Sequence, residues 1–127
     1  RSPHHVPLPP SVEPVFAAAA RRHSLPVRAS TESALRVLRA AGVKTPDRFV
    51  DRFYAEGATL ETLERILAEL PDGTTELMCH PGRADAELKA GSTYVDEREG
   101  EIRVLCEPAL RVLIEKRKIR LIGFDRL

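Results

Sequence analysis

The sequence predicts an α/β fold in which mostly parallel strands alternate with helices. Short runs rich in β-branched and aromatic residues predict strands, and longer runs with apolar residues three and four positions apart predict helices. Because the two kinds of segment alternate along the chain, βα units on a parallel sheet are the expected architecture. The chain has 127 residues, 43% of them hydrophobic, which is long enough for a single domain over residues 1–127.

Helices are predicted where a capping residue or an apolar periodicity marks them. The Pro-rich entry segment 1–10 cannot form a regular helix, and Ser11 is the expected N-cap of the first one. Gly42 is expected to end the second helix, and Thr59 to cap the third. The predicted helical segments are 12–22, 33–41, 60–70, 96–106 and 107–117.

Four short segments are predicted to be strands. Two of them are mostly apolar, and the other two are rich in aromatic or β-branched residues. The segment 83–94 is polar with small residues, and we expect a loop there or a loop with a helical turn. The predicted strands are 25–28, 48–54, 74–80 and 119–124.

Charge and cysteine content exclude several classes of protein. The formal net charge is +1, so bulk electrostatics favour neither nucleic acid nor an anionic membrane as a partner. No apolar run approaches the roughly 18 residues that span a bilayer. Cys79 and Cys106 are far apart and lack zinc-site spacing. We therefore expect two buried free thiols and a cytoplasmic protein.

His80 is the residue most suited to chemistry. It ends a predicted strand, and the following Pro81-Gly82 turn would hold its ring at the sheet rim. Functional groups of parallel sheets gather beyond the carboxyl ends of the strands, where Arg28 is also expected. A histidine there suits general acid or base work at neutral pH. The alternative is a histidine that only hydrogen-bonds the backbone.

The other polar candidates are weaker. His4 and His5 are adjacent and would point to opposite sides of an extended segment, so one could face a site; a tag-like terminus is the alternative. His23 at a helix end is explained by capping. The charged run 96–99 is predicted to be a solvated helix face. The sequence contains no Gly-rich phosphate loop, no Gly-x-Ser-x-Gly elbow and no HExxH motif.

Several motifs distributed over the chain match one known family. The most specific is Thr-Glu-Leu-Met-Cys-His-Pro-Gly at 75–82, and Gly-Val-Lys-Thr-Pro-Asp-Arg-Phe occupies 42–49. The opening Ser-Pro-His-His-Val-Pro at 2–7 is similar to that family's Ser-His-His-His-Val-His segment. Further matches are Phe53, Tyr54, Ser92, Tyr94, Arg98, Glu99, Glu101, Leu105 and 119–122. With these motifs the chain resembles the carboxy-terminal half of the YdjC/ChbG-type carbohydrate deacetylases.

This resemblance implies a partial (β/α) barrel and the removal of acetyl groups from N-acetylated sugars. In that chemistry a divalent ion, Mg or Zn, activates a water, and a histidine protonates the leaving amine. His80 occupies the position that resembles the proton donor. The residues expected to contact the sugar are Arg28, His5, Cys79, Pro81 and Gly82.

The departures from the family pattern concern the metal. The family's Asp-Asp segment and one histidine ligand belong to the amino-terminal half, which has no counterpart here. The third ligand is the first histidine of the Ser-His-His-His-Val-His segment, and Pro3 stands at that position; Pro7 replaces the last histidine. Proline has no lone pair for a metal, so we expect no cofactor for this chain.

Two hypotheses follow, from different classes of protein. The first is an inactive or incomplete fragment or a degenerate paralogue of a sugar deacetylase, or one half of a two-chain enzyme. Self-association or a complementing chain is then expected. The second is a non-catalytic carbohydrate-binding or scaffold module, in which Arg28, His80 and the loop 83–94 line the pocket. An N-acetylated oligosaccharide is the expected ligand in both.

Overall fold

Helices form most of the regular structure in residues 11–127, the part of the chain that the computed structural model describes. All five predicted helices are present, and the predicted loop 83–94 contains a sixth, shorter one. The helices are α1 (Glu13–Arg22), α2 (Glu32–Ala40), α3 (Leu60–Ala68), α4 (Ala86–Gly91), α5 (Asp96–Leu105) and α6 (Pro108–Lys116).

Local features explain where α3 begins and where α2 ends. The Thr59 hydroxyl accepts a hydrogen bond of 3.1 Å from the backbone N–H of Thr62, which confirms it as the N-cap of α3. Gly42 follows α2 with a φ of +71°, a conformation that favours glycine. The prediction for α1 was wrong by one residue, because Val12 and not Ser11 is its N-cap.

Two parallel strands form the sheet seen in the described residues. They are β1 (Arg48–Val50) and β2 (Thr75–Leu77). The Arg48 N–H donates to the Thr74 carbonyl at 3.1 Å, and the Met78 N–H donates to the Val50 carbonyl at 2.9 Å. This alternating pattern is that of a parallel pair. The α/β class is therefore confirmed, although both strands are shorter than predicted.

The strands predicted at 25–28 and 119–124 are wrong. Pro26 has no N–H to give, and the Val27 N–H makes a single backbone bond, 2.9 Å long, to Lys44. Leu25 is 58% exposed and Leu121 is 75% exposed, so neither of these two side chains is buried. A short apolar run becomes a strand only where neighbouring chain supplies a ladder, and none pairs with these two within residues 11–127.

The described chain divides into two compact units. The first comprises residues 11–49, 73–76 and 122–127, and the second comprises residues 50–72 and 77–121. Small side chains dominate the core of the first unit: Ala17, Ala20, Ala29, Leu38 and Val43. The core of the second is larger: Phe53, Leu63, Ile66, Leu67 and Leu110. A single domain over residues 1–127 stays a prediction.

Two further expectations concern burial and membranes. Cys79 and Cys106 are both free, but Cys79 is only half-buried and Cys106 at the end of α5 is exposed, so the prediction of two buried thiols is wrong. Within the described residues, no helix is long and apolar enough to cross a membrane.

Candidate functional site

His80 lies in the second unit, in the irregular segment three residues beyond the end of β2. Its side chain keeps 24% of its surface exposed. The ring nitrogen Nδ1 is buried and has no hydrogen-bond partner among the described residues. Because Nδ1 is buried, it is not available to a substrate.

Glu101 on α5 is fully buried beside His80. One of its carboxylate oxygens accepts a short hydrogen bond from the backbone N–H of His80. The other accepts a 2.6 Å hydrogen bond from the Tyr94 hydroxyl and lies 4.0 Å from Nδ1 of His80. A buried carboxylate is tolerated only where donors surround it, and these two donors meet that need. Glu101 thus fixes the backbone of His80 and places negative charge next to its ring.

Tyr94 links Glu101 to the segment after Phe53. Its hydroxyl also accepts a 3.0 Å hydrogen bond from the backbone N–H of Ala55. Desolvation by burial and the hydrogen bond to Glu101 raise the pKa of Tyr94 to about 12. The ring of Tyr94 stacks on that of Tyr54, with centroids 4.5 Å apart and planes inclined by 13°. Because its pKa is raised, the Tyr94 phenol stays neutral at physiological pH and donates to the Glu101 carboxylate.

Arg98 lies on α5, one turn before Glu101. It makes hydrogen bonds to the loop that contains His80. Its Nε donates to the Tyr94 carbonyl at 2.8 Å, and a terminal nitrogen donates to the His80 carbonyl at 3.2 Å. Its neighbour Glu99 accepts a 2.9 Å hydrogen bond from the backbone N–H of Ala84. The prediction of a mostly solvated face for the run 96–99 is therefore wrong for these two residues, which are half-buried and hydrogen-bonded to the loop.

The three predicted neighbours of His80 differ in their surroundings. Cys79 packs against the core of the second unit, and burial, followed by the charge of Glu101, raises the pKa of its thiol. The thiol is thus held neutral, which argues against a nucleophile. Pro81 is exposed, whereas Gly82 lies against α5, where an added Cβ would meet the Arg98 side chain at 3.4 Å. Contact of these residues with a sugar stays a prediction.

Arg28 belongs to the first unit. It pairs with the carboxylate of Glu76, its Nε donating at 2.6 Å, and its guanidinium lies 4.9 Å from the centroid of the Phe49 ring. The described residues do not test its predicted contact with a sugar. His5, also predicted to contact the sugar, lies outside the described residues.

Metal-ligating groups do not converge among residues 11–127. Within that range no group of three or more His, Cys, Asp or Glu side chains could hold a metal ion. Both carboxylate oxygens of Glu101 already accept hydrogen bonds, one from His80 and one from Tyr94. The described residues therefore do not fit the divalent ion that the family resemblance implies. A groove of about 530 Å³ between α3 and α6 contains none of the site residues.

Sequence reasoning did not rank Glu101, Arg98 or Tyr54 as site residues. Glu101 and Arg98 sit in a charged helix whose pattern indicates solvent exposure. A signal was available, because a tyrosine at 94 and acidic residues at 97, 99 and 101 flank one arginine at 98. Such a pattern predicts side chains that hydrogen-bond a neighbouring loop as readily as it predicts a solvated helix face. Tyr54 matches the family pattern, but the sequence does not indicate its contacts, since its position depends on the turn that follows it.

Comparison with known proteins identifies the family. The model of the YdjC-like protein family matches residues 2–116. A carbohydrate deacetylase from Geobacillus stearothermophilus is 36% identical over 124 residues, which cover 97% of this chain and 49% of that protein. One from Thermoanaerobacter pseudethanolicus is 35% identical, covering 99% of this chain and 50% of that protein. This chain thus spans about half the length of these curated relatives.

A solved structure gives a consistent result. It is that of an Enterococcus faecalis V583 protein described provisionally as a cellobiose-phosphate cleavage protein. The two structures superpose with a TM-score of 0.83 at 28% sequence identity, over 93% of this chain and 48% of the other. With a family model that covers most of its length, this chain belongs to the YdjC-like protein family.

Proposed function

We propose that this chain supplies the proton-donating side of a carbohydrate deacetylase site, with His80 as the general acid. The observation that carries the proposal is the buried Glu101, which binds the backbone of His80 and faces its ring. His80 also stands in the Met-Cys-His-Pro-Gly motif by which the chain resembles the deacetylases. The relatives described as carbohydrate deacetylases support the reaction class.

The chemistry proposed for His80 is the protonation of the leaving amine. When water adds to the acetamide carbonyl, the C–N bond can break only if the nitrogen leaves as an amine and not as an amide anion. Nε2 of a protonated His80 gives its proton to that nitrogen, and the imidazole becomes neutral. The Glu101 charge attracts the positive charge of the ring before the transfer, and Arg98 keeps the loop in place.

The described residues do not supply the rest of the site. Because no set of three ligands is present in residues 11–127, we propose that the 127-residue chain alone does not release acetate. Activity then needs groups from further polypeptide, either in a longer chain or in a complementing one. A further part of this proposal, which rests on the family resemblance, is that the fold is a section of a (β/α) barrel.

An acetate-release assay tests this proposal. The 127-residue chain is incubated with tri-N-acetylchitotriose, with and without Zn²⁺ or Mg²⁺, and we expect no acetate above the protein-free control. A chimera in which this chain replaces the matching half of the Geobacillus stearothermophilus relative should gain activity once Pro3→His and Pro7→His restore the family's histidines. Metal-dependent turnover by the unmodified 127-residue chain would disprove its inactivity.

A carbohydrate-binding module without catalysis is the second candidate. The stacked Tyr54 and Tyr94 rings beside His80 favour it, since aromatic side chains are common in sugar sites. Binding of tri-N-acetylchitotriose that survives EDTA, together with an inactive restored chimera, would select this candidate. Acetate release by the restored chimera would exclude it as the whole function.

Exposed apolar side chains suggest that the chain associates with another polypeptide. Large apolar side chains are exposed on the described surface, among them Val15 at 70% and Val112 at 64%. We propose that they are covered by a second copy or by a complementing chain, which sedimentation velocity at two protein concentrations would detect. The two free thiols support a cytoplasmic location.

A further inference from the structure

We propose that the outer face of the Tyr54 ring is a stacking platform for a pyranose ring of the substrate, next to His80. This inference rests on the proposed function, since it adds a sugar-binding residue to the same site. Tyr54 lies in the second unit, as do Tyr94 and His80, and its surface is 45% exposed.

The positions of the three rings show which face of Tyr54 is open. Tyr94 covers one face at a centroid distance of 4.5 Å. The His80 ring lies 5.4 Å from Tyr54 and 5.8 Å from Tyr94, edge-on to both. Nearly equal distances place the imidazole beside the stacked pair and not above it. Neither residue therefore covers the outer face of Tyr54, in agreement with the 45% exposure of this residue.

The Tyr54 ring is also held in a fixed position. The next residue, Ala55, has a φ of +50° and gives its N–H to the Tyr94 hydroxyl. In the same turn, a Cβ on Gly57 would lie 2.5 Å from the Arg52 carbonyl oxygen, so the chain is tightly packed there. A ring that is already ordered loses little entropy when a ligand stacks on it.

A tyrosine that served only as core packing would be buried, with its hydroxyl paired. The Tyr54 hydroxyl makes no hydrogen bond within residues 11–127, whereas that of Tyr94 makes two. Tyr54 thus presents an apolar face and an unused polar group on the same exposed side chain. Hexopyranoses with equatorial substituents match this arrangement, because their faces carry C–H groups and their edges carry hydroxyls.

The distance to His80 suits the proposed reaction. A pyranose stacked on the outer face at a spacing of roughly 4.5 Å would have its centre roughly 8 Å from the imidazole centroid. An acetamido substituent projecting from that ring toward His80 spans most of this gap. The platform therefore selects a sugar whose N-acetyl group lies at the ring edge.

The test is a titration of the 127-residue chain with tri-N-acetylchitotriose, followed by calorimetry and by saturation-transfer NMR. We expect Tyr54→Phe to bind within about threefold of the wild type and Tyr54→Ala to bind at least about fivefold more weakly. Circular dichroism checks that each variant is folded. In the wild type, saturation transfer should be strongest at the C–H protons of one sugar face.

Equal affinity of Tyr54→Ala and the wild type would overturn the platform, as would the absence of binding by the wild type at millimolar sugar. Both results leave the role of His80 to be judged by turnover of the restored chimera. If turnover is unchanged in His80→Gln, His80 is not the general acid. A loss of affinity in Tyr54→Ala would still support the platform in that case.

Discussion

One oxygen of the Glu101 carboxylate accepts a hydrogen bond from the backbone N–H of His80, and the other lies 4.0 Å from Nδ1 of the same residue. A single buried carboxylate thus sets both the backbone position and the electrostatic surroundings of this histidine. Because Glu101 also accepts from Tyr94, it connects α5 with two separate loop segments. We therefore expect the site to depend on this side chain.

Removal of the Glu101 carboxylate should destabilise the protein. Glu101→Ala leaves the His80 N–H and the Tyr94 hydroxyl without their buried acceptor, and we expect a loss of about 2–4 kcal/mol in the free energy of unfolding. Urea denaturation followed by circular dichroism measures it. The control is Glu64→Ala, an exposed glutamate on α3, which should change the free energy by less than about 0.5 kcal/mol. Equal effects of the two substitutions would contradict the role of Glu101.

The two tyrosines provide a matched comparison. Tyr94→Phe removes a hydroxyl that makes two hydrogen bonds, so we expect a loss of about 1–3 kcal/mol. Tyr54→Phe removes a hydroxyl with no hydrogen bond in the described residues and should lose less than about 0.5 kcal/mol. The same denaturation experiment serves both. A reversed order of the two losses would be incompatible with the hydrogen bonds described.

The ionisation of Tyr94 makes stability depend on alkaline pH. Its pKa in the folded protein is raised above the ordinary value of 10.0 to about 12. The folded state therefore holds this proton more tightly, and the resulting stability is complete below pH 10 and lost as pH rises through about 12. A spectrophotometric titration should show a late phenolate step that is absent in Tyr94→Phe. A wild-type titration complete by about pH 11 would contradict this account.

The two cysteines should differ in reactivity. Burial and the Glu101 charge raise the pKa of Cys79, so less of its thiolate is present at pH 8, and its surface is partly covered; Cys106 is exposed. In Cys106→Ser, which retains only Cys79, we expect alkylation by iodoacetamide at least about tenfold slower than in Cys79→Ser. Mass spectrometry follows the reaction. Comparable rates would mean that Cys79 is not covered as described.

Local signals predicted the helices better than the strands. Thr59 and Gly42 act within their own turns, so their roles follow from nearby sequence. The segments 25–28 and 119–124 have the composition of strands but form no ladder within residues 11–127, and strand formation depends on such pairing. The prediction that His80 ends a strand was wrong, because β2 ends at Leu77 and Pro81-Gly82 lies several residues beyond that end.

The partners of His80 could not be ranked from the sequence for a related reason. Charged residues are usually exposed, and only the packing of α5 against the loop shows that Glu101 is buried. The stack of Tyr54 on Tyr94 joins residues 40 positions apart and depends on the turn at Ala55. Motif similarity named several of these residues without indicating what each contacts.

The most direct test of the central claim is the rate of acetate release by the restored chimera with His80 intact and with His80→Gln. If His80 protonates the leaving amine, the substitution should lower turnover by roughly two to four orders of magnitude. The affinity for tri-N-acetylchitotriose should change far less. Turnover of the His80→Gln chimera at the rate of its parent would contradict the claim.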